Sequence, residues 1–345
     1  MTDVYERPPE PGDGLRLHLN ENTAGCSPKV IEALRQIGPE HVAFYPDYEA
    51  VTRECARYFG VRPEQLLLTN GLDEGILAAA VVCLRQPREA EAIIVEPAFE
   101  MYAVSSTAVG GRLVEVSPRS DFSFPLTEVL DAISDATRLV FLTNPNNPTG
   151  ERIPRDAIRN VARRLPPDAI VFLDEAYADF AGESFVDELD RYPNIVIGRT
   201  FAKAHGLAAL RVGAVIAAPS VLGPIRRVVP PYSLNGCAVA ALRAALNDHE
   251  HVRWYLAQVQ QSKQLLYDAC ERLGLTYWRS AANFVLVRVG ERSGRLVRAL
   301  AERRIVVRDR SHAPGCVGCV RITAGVVEHT QACITALESA LCDAL

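Results

Sequence analysis

The chain of 345 residues lacks any long uninterrupted apolar run, although 48% of its residues are hydrophobic. No stretch approaches the roughly 18 consecutive apolar residues that a membrane-spanning helix needs. The first residues, Met1-Thr-Asp-Val-Tyr-Glu-Arg-Pro-Pro9, also lack the cationic and apolar regions of a secretory signal peptide. These absences predict a cytoplasmic protein with no membrane partner.

Blocks of basic residues are absent as well. The net charge is −5, and positive and negative residues are interspersed along the chain. A nucleic-acid-binding surface normally requires a cluster of lysine and arginine, so the sequence predicts no nucleic-acid partner. Any anionic ligand must therefore be held by a few local groups.

The nine cysteines offer no obvious metal or redox site. Cys316-Val-Gly-Cys319 has the spacing of half a zinc site, but a second ligand pair is missing nearby. A thioredoxin-like site would need its own βαβ context, which is also missing. We therefore predict free structural thiols and no bound metal.

Apolar strand candidates alternate with amphipathic helical segments through most of the chain. Uninterrupted Val, Ile and Leu strands separated by helices predict an α/β fold with a mostly parallel sheet covered on both faces. We expect an arm and part of a smaller domain at 1–40, a large domain at 41–240 and a small α/β domain at 241–345. The strand candidates of the large domain are 66–69, 92–95, 112–116, 139–143, 170–173, 195–197 and 213–217, and the main helix candidates are 28–35, 48–59, 155–164 and 236–273.

Three polar segments follow strands of this predicted sheet. They are Asn144-Pro-Asn-Asn-Pro-Thr-Gly150, Asp174-Glu-Ala-Tyr177, and the loop Thr200-Phe-Ala-Lys203 that continues to Arg211. Ligands of such sheets bind beyond the carboxyl ends of the strands, so these segments should meet. A lysine in apolar surroundings beside another cation has a lowered pKa and can form a Schiff base with a carbonyl. Lys203 is therefore the candidate catalytic residue.

Together the three segments resemble those of the fold-type I pyridoxal-phosphate aminotransferases. The resemblance runs from about Leu17 to the C-terminus and is closest to the histidinol-phosphate aminotransferase branch. It implies a large domain with a mostly parallel sheet, a smaller α/β domain and pyridoxal 5'-phosphate as cofactor. It also implies transfer of an amino group from a small-molecule donor to a 2-oxo acid, as in histidine biosynthesis.

The resemblance assigns a role to each group around the cofactor ring. Lys203 holds the cofactor, and Asp174 keeps the ring nitrogen protonated so that the ring can accept electrons. Asn147 and Tyr177 donate to the phenolic oxygen. Phe99 stacks on the ring face.

The cofactor phosphate is expected at the start of the helix after Gly71, where first-turn N–H groups are unpaired and the helix dipole favours an anion. Ala202 stands where the family usually has a serine, so one phosphate hydrogen bond should be missing. The residues expected around the phosphate are Asp73, Glu74, Thr200 and Arg211, with Tyr45 reaching the phosphate of a neighbouring subunit. The resemblance therefore implies a homodimer with shared active sites.

On the substrate side, the resemblance places Arg321 and Arg308 at the phosphate of histidinol phosphate. Asn22 is a further expected substrate-binding residue. The family's Asn-Glu-Asn-Pro-Tyr-Gly segment reads Asn-Glu-Asn-Thr-Ala-Gly here, so the tyrosine that lines the substrate site is Ala24. This departure leaves the choice of substrate open.

Three alternatives follow from that open choice. Relatives with this architecture act on aromatic or other amino acids, and one branch decarboxylates threonine phosphate. A ligand-sensing module on the same fold would keep the architecture without catalysis. The intact Lys203, Asp174 and Arg211 favour an enzyme.

Overall fold

The computed structural model describes residues 14–85 and 89–342. Most of the predicted N-terminal arm lies outside these residues. The helices are α1 Pro28–Arg35, α2 Pro39–Ala43, α3 Tyr48–Phe59, α4 Leu72–Leu84, α5 Met101–Ala108, α6 Leu126–Ala132, α7 Arg155–Arg164, α8 Ala178–Ala181, α9 Pro219–Arg226, α10 Gly236–Leu246, α11 His249–Arg272, α12 Ser293–Glu302 and α13 Val327–Cys342. The strands are β1 Leu15–Leu17, β2 Leu66–Asn70, β3 Glu91–Val95, β4 Arg112–Val116, β5 Thr137–Thr143, β6 Ile170–Asp174, β7 Ile195–Thr200, β8 Val212–Ala217, β9 Thr276–Trp278, β10 Phe284–Arg288, β11 Ile305–Asp309 and β12 Cys319–Thr323.

A seven-stranded sheet forms the larger part of the molecule, in the order β2-β8-β7-β6-β5-β3-β4. Strands β3 to β7 run parallel, whereas β8 is antiparallel to both of its neighbours. Along β5, Val140 and Leu142 pack into the core on one face, and Leu139 and Phe141 pack into the core on the other. Both faces are therefore covered by helices, which confirms the predicted α/β fold with a mostly parallel sheet.

The smaller sheet has the order β1-β11-β12-β10-β9. Its strands are antiparallel except for β1, which pairs in parallel with β11. The N-terminal strand thus joins a sheet built from the C-terminal third of the chain. The exact domain boundaries at residues 40 and 240 remain a prediction.

Local signals explain several helix ends. Ser27 caps α1 by accepting a hydrogen bond from the backbone N–H of Lys29, with Pro28 at the first position. Asp47 caps α3 in the same way, and Gly60 ends it in the left-handed conformation at φ 70°. These helices begin and end where the sequence predicts.

The predicted helical region 236–273 is confirmed as helical, and it consists of two helices. The break falls at Asn247 and Asp248. The Asp248 carboxylate accepts hydrogen bonds from the Ser27 hydroxyl and from Lys29 Nζ at the start of α1. A contact with a distant part of the chain therefore accompanies the break between α10 and α11.

Some short elements have no clear sequence signal. Helix α9 contains Gly223 and Pro224, which both disfavour helix interiors. Helix α5 is built largely from small and β-branched residues and packs against α4. Tertiary packing overrides weak local propensity in both cases.

Candidate functional site

A cavity of about 510 Å³ opens where the carboxyl ends of β5, β6 and β7 face the smaller sheet. The three predicted segments meet there, contributing Asn147, Asp174, Tyr177 and Lys203 to its lining. The first turn of α4 forms another part of the wall. The opposite side comes from β11, β12 and the segment after β1, so both sheets build the cavity.

Lys203 lies in the loop after β7 with its amine at the cavity. Nζ donates a hydrogen bond to the backbone oxygen of Leu19 at 2.8 Å and lies 5.9 Å from the centre of the Tyr177 ring. Burial and the nearby Arg321 guanidinium lower the pKa of Lys203 from 10.5 to about 8. This shift increases the neutral fraction of the amine near physiological pH, and the neutral amine is the form that acts as a nucleophile.

Asp174 ends β6 and is 4% exposed. Its Oδ2 accepts a hydrogen bond from the Tyr102 hydroxyl at 2.6 Å, and its Oδ1 accepts one from the backbone N–H of Ala176 at 2.9 Å. Burial raises the pKa of Asp174 to about 6, although these two hydrogen bonds oppose the shift. The carboxylate can therefore stay ionised at neutral pH and face a cationic nitrogen.

Three predicted residues surround the centre of the cavity. Phe99 lines it and meets Tyr102 edge-on, with ring centres 5.7 Å apart. The Tyr177 hydroxyl accepts a hydrogen bond from Asn20 Nδ2 at 2.9 Å. Asn147 Oδ1 accepts a hydrogen bond from Arg321, so this side chain links the Asn-Pro loop to the smaller sheet.

The N-terminal turn of α4 points at the cavity. Gly71 precedes it at φ 75°, a conformation that favours glycine, and Asp73 in the first turn pairs with Arg211 at 2.9 Å. Thr200 also lines the cavity and accepts a hydrogen bond from the backbone of Ala202. The structure thus brings a helix N-terminus, a hydroxyl and a guanidinium together in one place.

Arginine side chains dominate the opposite end. Arg308 and Arg321 lie directly across from each other on β11 and β12, and both line the cavity. Arg321 also donates to the backbone oxygen of His18 at 2.6 Å. Burial and the neighbouring Arg310 and Arg308 lower the pKa of Arg321 to about 10. Arg321 remains cationic at neutral pH, and the concentration of positive charge at this end of the cavity favours an anionic ligand.

Three of the predicted site residues do not line this cavity. The Glu74 carboxylate turns back to accept a hydrogen bond from the backbone N–H of Asn70 at 2.7 Å. Asn22 instead donates to the backbone oxygen of Ala204 at 3.0 Å and so holds the lysine loop. Tyr45 is 76% exposed and stacks on Tyr232.

The cavity also contains residues that the sequence analysis did not assign. Arg310 is 4% exposed and pairs with Glu100. Tyr102 is fully buried behind Asp174. The one available signal for Tyr102 was its position three residues after Phe99, which places both on one side of a helix start. Arg16, His18, Asn20 and Glu21 join the lining only because β1 pairs with β11.

The cysteines and the longer helices are the other features that could have formed a site. All nine cysteines are free thiols, and Cys316 and Cys319 are buried. Among residues 14–85 and 89–342, no group of three or more His, Cys, Asp or Glu side chains could hold a metal ion. No helix in the same part of the chain is long and apolar enough to cross a membrane.

Comparison with known proteins matches the chain to a family. Residues 12–337 match the model of aminotransferase class I and II. The histidinol-phosphate aminotransferase 2 of Ralstonia nicotianae is 38% identical over 339 residues, covering 96% of this chain and 89% of that protein. The histidinol-phosphate aminotransferase of Halalkalibacterium halodurans is 34% identical over 337 residues, covering 96% and 90%.

A solved structure shows the same architecture. The histidinol-phosphate aminotransferase of Sinorhizobium meliloti in complex with pyridoxal-5'-phosphate has a TM-score of 0.84 and 27% identity, covering 96% of this chain and 92% of that one. The chain belongs to the aminotransferase class I and II family.

Proposed function

We propose that the protein is a pyridoxal-phosphate-dependent aminotransferase that transfers the amino group of histidinol phosphate to 2-oxoglutarate, a step of histidine biosynthesis. The two relatives named above carry the name histidinol-phosphate aminotransferase, and each aligns with this chain over most of its length. The solved relative holds pyridoxal 5'-phosphate.

The donor set of the cavity fits this cofactor. A buried carboxylate at Asp174 suits a protonated ring nitrogen, and a partly neutral amine at Lys203 suits the aldehyde carbon. The first turn of α4 with Thr200 and Arg211 suits the phosphate, and Asn147 and Tyr177 suit the phenolic oxygen. When bound, pyridoxal phosphate supplies an electron sink for the bond that breaks at the substrate carbon.

Each residue then has a defined task. Lys203 Nζ, in its neutral form, takes the proton from the substrate carbon and returns it as an acid. Asp174 holds the proton on the ring nitrogen. Phe99 covers one side of the cavity and limits the access of water.

The observation that carries the substrate assignment is the pair Arg308 and Arg321. Directly opposed residues of antiparallel strands lie about 4.5–5.5 Å apart and point to the same face, where like charges destabilise the sheet. No ion pair within the described part of the chain involves Arg308, and Arg321 Nε is buried without a hydrogen-bond partner. A dianionic phosphate bound between the two guanidinium groups would relieve this repulsion.

The test compares Arg308→Ala with the unmutated enzyme on histidinol phosphate and on phenylalanine. We expect kcat/KM for histidinol phosphate to fall by ~30-fold or more, since an unpaired buried charge typically costs about 2–5 kcal/mol. The value for phenylalanine should change little. Arg253→Ala, which removes an exposed arginine of α11, is the control and should leave both values unchanged.

Two outcomes would redirect the assignment. Good activity on an aromatic amino acid without activity on histidinol phosphate would favour the aromatic aminotransferase, for which Ala24 leaves space. Release of carbon dioxide from threonine phosphate without a 2-oxo acid acceptor would favour a decarboxylase instead.

We propose a homodimer with shared active sites as the working assembly. The exposed aromatic side chains of Phe44, Tyr45 and Tyr232 support it, since such groups are enriched at protein interfaces. In this dimer Tyr45 would reach the cofactor phosphate of the second copy. We place the protein in the cytoplasm, because nine free thiols suit a reducing compartment.

A further inference from the structure

Tyr102 lines the cavity beside Asp174 and contacts the Asp174 carboxylate. Its side chain is 1% exposed, and its ring stacks on Phe141 with centres 4.6 Å apart and planes 11° apart. The hydroxyl lies 2.6 Å from Asp174 Oδ2 and 2.8 Å from the Thr143 hydroxyl oxygen. Stacking and two hydrogen bonds thus fix the position of this hydroxyl.

The direction of these hydrogen bonds follows from the carboxylate. An ionised carboxylate can only accept, so Tyr102 must donate to Asp174. The Tyr102 oxygen is then free to accept the proton of the Thr143 hydroxyl. Burial, together with the negative charge of Asp174, raises the pKa of Tyr102 well above its usual value, so the tyrosine stays a donor at every working pH.

Asp174 depends on this donor. Burial favours the neutral carboxyl, as does the charge of Asp73, whereas Lys203 and the hydrogen bonds of Tyr102 and Ala176 favour the ionised form. Of these, Tyr102 makes the only side-chain hydrogen bond to Asp174 within the described residues. The Tyr102 hydroxyl is therefore the side-chain group that stabilises the buried Asp174 carboxylate by a hydrogen bond.

We propose that Tyr102 is a positioning residue of the ring-nitrogen site: the directed chain from Thr143 to Tyr102 to Asp174 keeps the Asp174 carboxylate ionised and aimed at the cavity. This proposal rests on the proposed function, because it assumes that Asp174 faces the ring nitrogen of pyridoxal phosphate. Without these two hydrogen bonds, the proton that lies between the ring nitrogen and Asp174 moves to Asp174. The cofactor then binds but withdraws electrons poorly.

The test uses holoenzyme loaded with pyridoxal phosphate that carries ¹⁵N at the ring nitrogen. The ¹⁵N resonance separates protonated from unprotonated pyridine. We expect the protonated position in the unmutated enzyme and a shift toward the unprotonated position in Tyr102→Phe. The kcat should fall ~10-fold to ~100-fold with a smaller change in KM, as loss of a hydrogen bond to a charged group predicts.

Two further variants separate this role from a general loss of packing. Tyr267→Phe removes another buried tyrosine hydroxyl, which accepts from the backbone of Ser280 at 2.9 Å in the smaller lobe, and should leave the ¹⁵N resonance unchanged. Thr143→Val removes the donor to Tyr102 and should shift the resonance in the same direction by less. If Tyr102→Phe does not fold, the ¹⁵N resonance of Thr143→Val alone tests the role of Tyr102.

The possible failures are distinguishable. A protonated resonance in folded, cofactor-loaded Tyr102→Phe, or in Thr143→Val where the first variant does not fold, would overturn the role of Tyr102. Failure of the unmutated protein to bind pyridoxal phosphate at Lys203 would instead overturn the proposed function.

Discussion

The Lys203 amine illustrates how one residue acquires reactivity from its surroundings. Within the part of the chain that the structure describes, its one hydrogen bond goes to a neutral backbone oxygen, that of Leu19, and not to a carboxylate. Burial disfavours the ammonium form, and Arg321 adds repulsion. Both effects favour the neutral amine, which is the form that attacks a carbonyl.

This environment predicts the pH dependence of cofactor loading. The pKa of Lys203 is lowered to about 8, so the amine is protonated below that pH and neutral above it. The rate of covalent attachment of pyridoxal phosphate to the apoprotein should rise through about pH 8 and then level off. Absorbance of the attached cofactor, followed at a series of pH values, measures this rate.

The same shift has a consequence for folding stability. Between about pH 8 and 10.5 the unfolded chain binds more protons at Lys203 than the folded chain does, so this residue's contribution to stability rises with pH in that window.

Arg321→Gln removes a positive charge near Lys203 and should move the midpoint of cofactor loading to higher pH. A midpoint near 10 in the unmutated protein would contradict the assigned environment, as would borohydride labelling of another lysine.

At the scale of elements, close backbone packing fixes the N-terminus of α4 at the cavity. Gly213 on β8 faces the start of this helix, and a Cβ at Gly213 would lie 2.6 Å from Gly71 C and from Leu72 N. A backbone contact cannot move aside as a flexible side chain can. The absence of a side chain at Gly213 therefore allows the first turn of α4 to reach its observed position.

Gly213→Ala should push the first turn of α4 away from the cavity. We expect the affinity for pyridoxal phosphate to fall ~10-fold or more, since each lost hydrogen bond to a charged phosphate is worth about 1.5–3 kcal/mol. Overpacking should also lower the free energy of unfolding by about 1–3 kcal/mol. Titration with the cofactor and denaturant unfolding measure the two effects.

Gly223→Ala is the matched control. A Cβ at Gly223 meets nothing within 4 Å, and the residue lies inside α9. Replacing glycine by alanine in a helix should leave stability unchanged or raise it by up to about 1 kcal/mol. Equal losses of cofactor affinity in both variants would show that the contact with α4 is unimportant.

At the scale of the whole molecule, one surface carries several large apolar side chains that are exposed to solvent. Val42 and Tyr45 are each 76% exposed and Phe44 is 73% exposed, and Tyr45 stacks on the exposed Tyr232. Large apolar side chains clustered in this way mark interaction sites. A second copy of the chain is the partner that the proposed shared site requires.

Phe44→Asp tests this assembly. The unmutated protein should sediment at twice the chain mass of 37.8 kDa, whereas the variant should dissociate at low micromolar concentration because an interface core disfavours a charge. Cofactor affinity should fall with it. Val317→Asp is the control, because it introduces the same charge at a valine that is 78% exposed, close to the 73% of Phe44. This variant should remain dimeric. Sedimentation of the unmutated protein as a single chain would rule out the dimer.

The sequence by itself determined the architecture and predicted which polar segments would meet at one edge of the sheet. Apolar strands alternating with helices indicate a parallel sheet, and polar segments directly after β5, β6 and β7 must then meet at one edge. Lys203, Asp174, Asn147 and Tyr177 could be placed together for this reason. Their positions follow from local patterns and a general property of parallel sheets.

Only the tertiary structure decided which groups touch one another inside the site. Asn22 holds the lysine loop, Arg310 pairs with Glu100, and Tyr102 supports Asp174. Each contact joins segments far apart in the chain, and no local pattern specifies which distant side chain will lie opposite. Arg321 meets Arg308 and the backbone of His18 because β1, β11 and β12 are neighbours in one sheet, and strand pairing across nearly the whole chain is a property of the packed molecule.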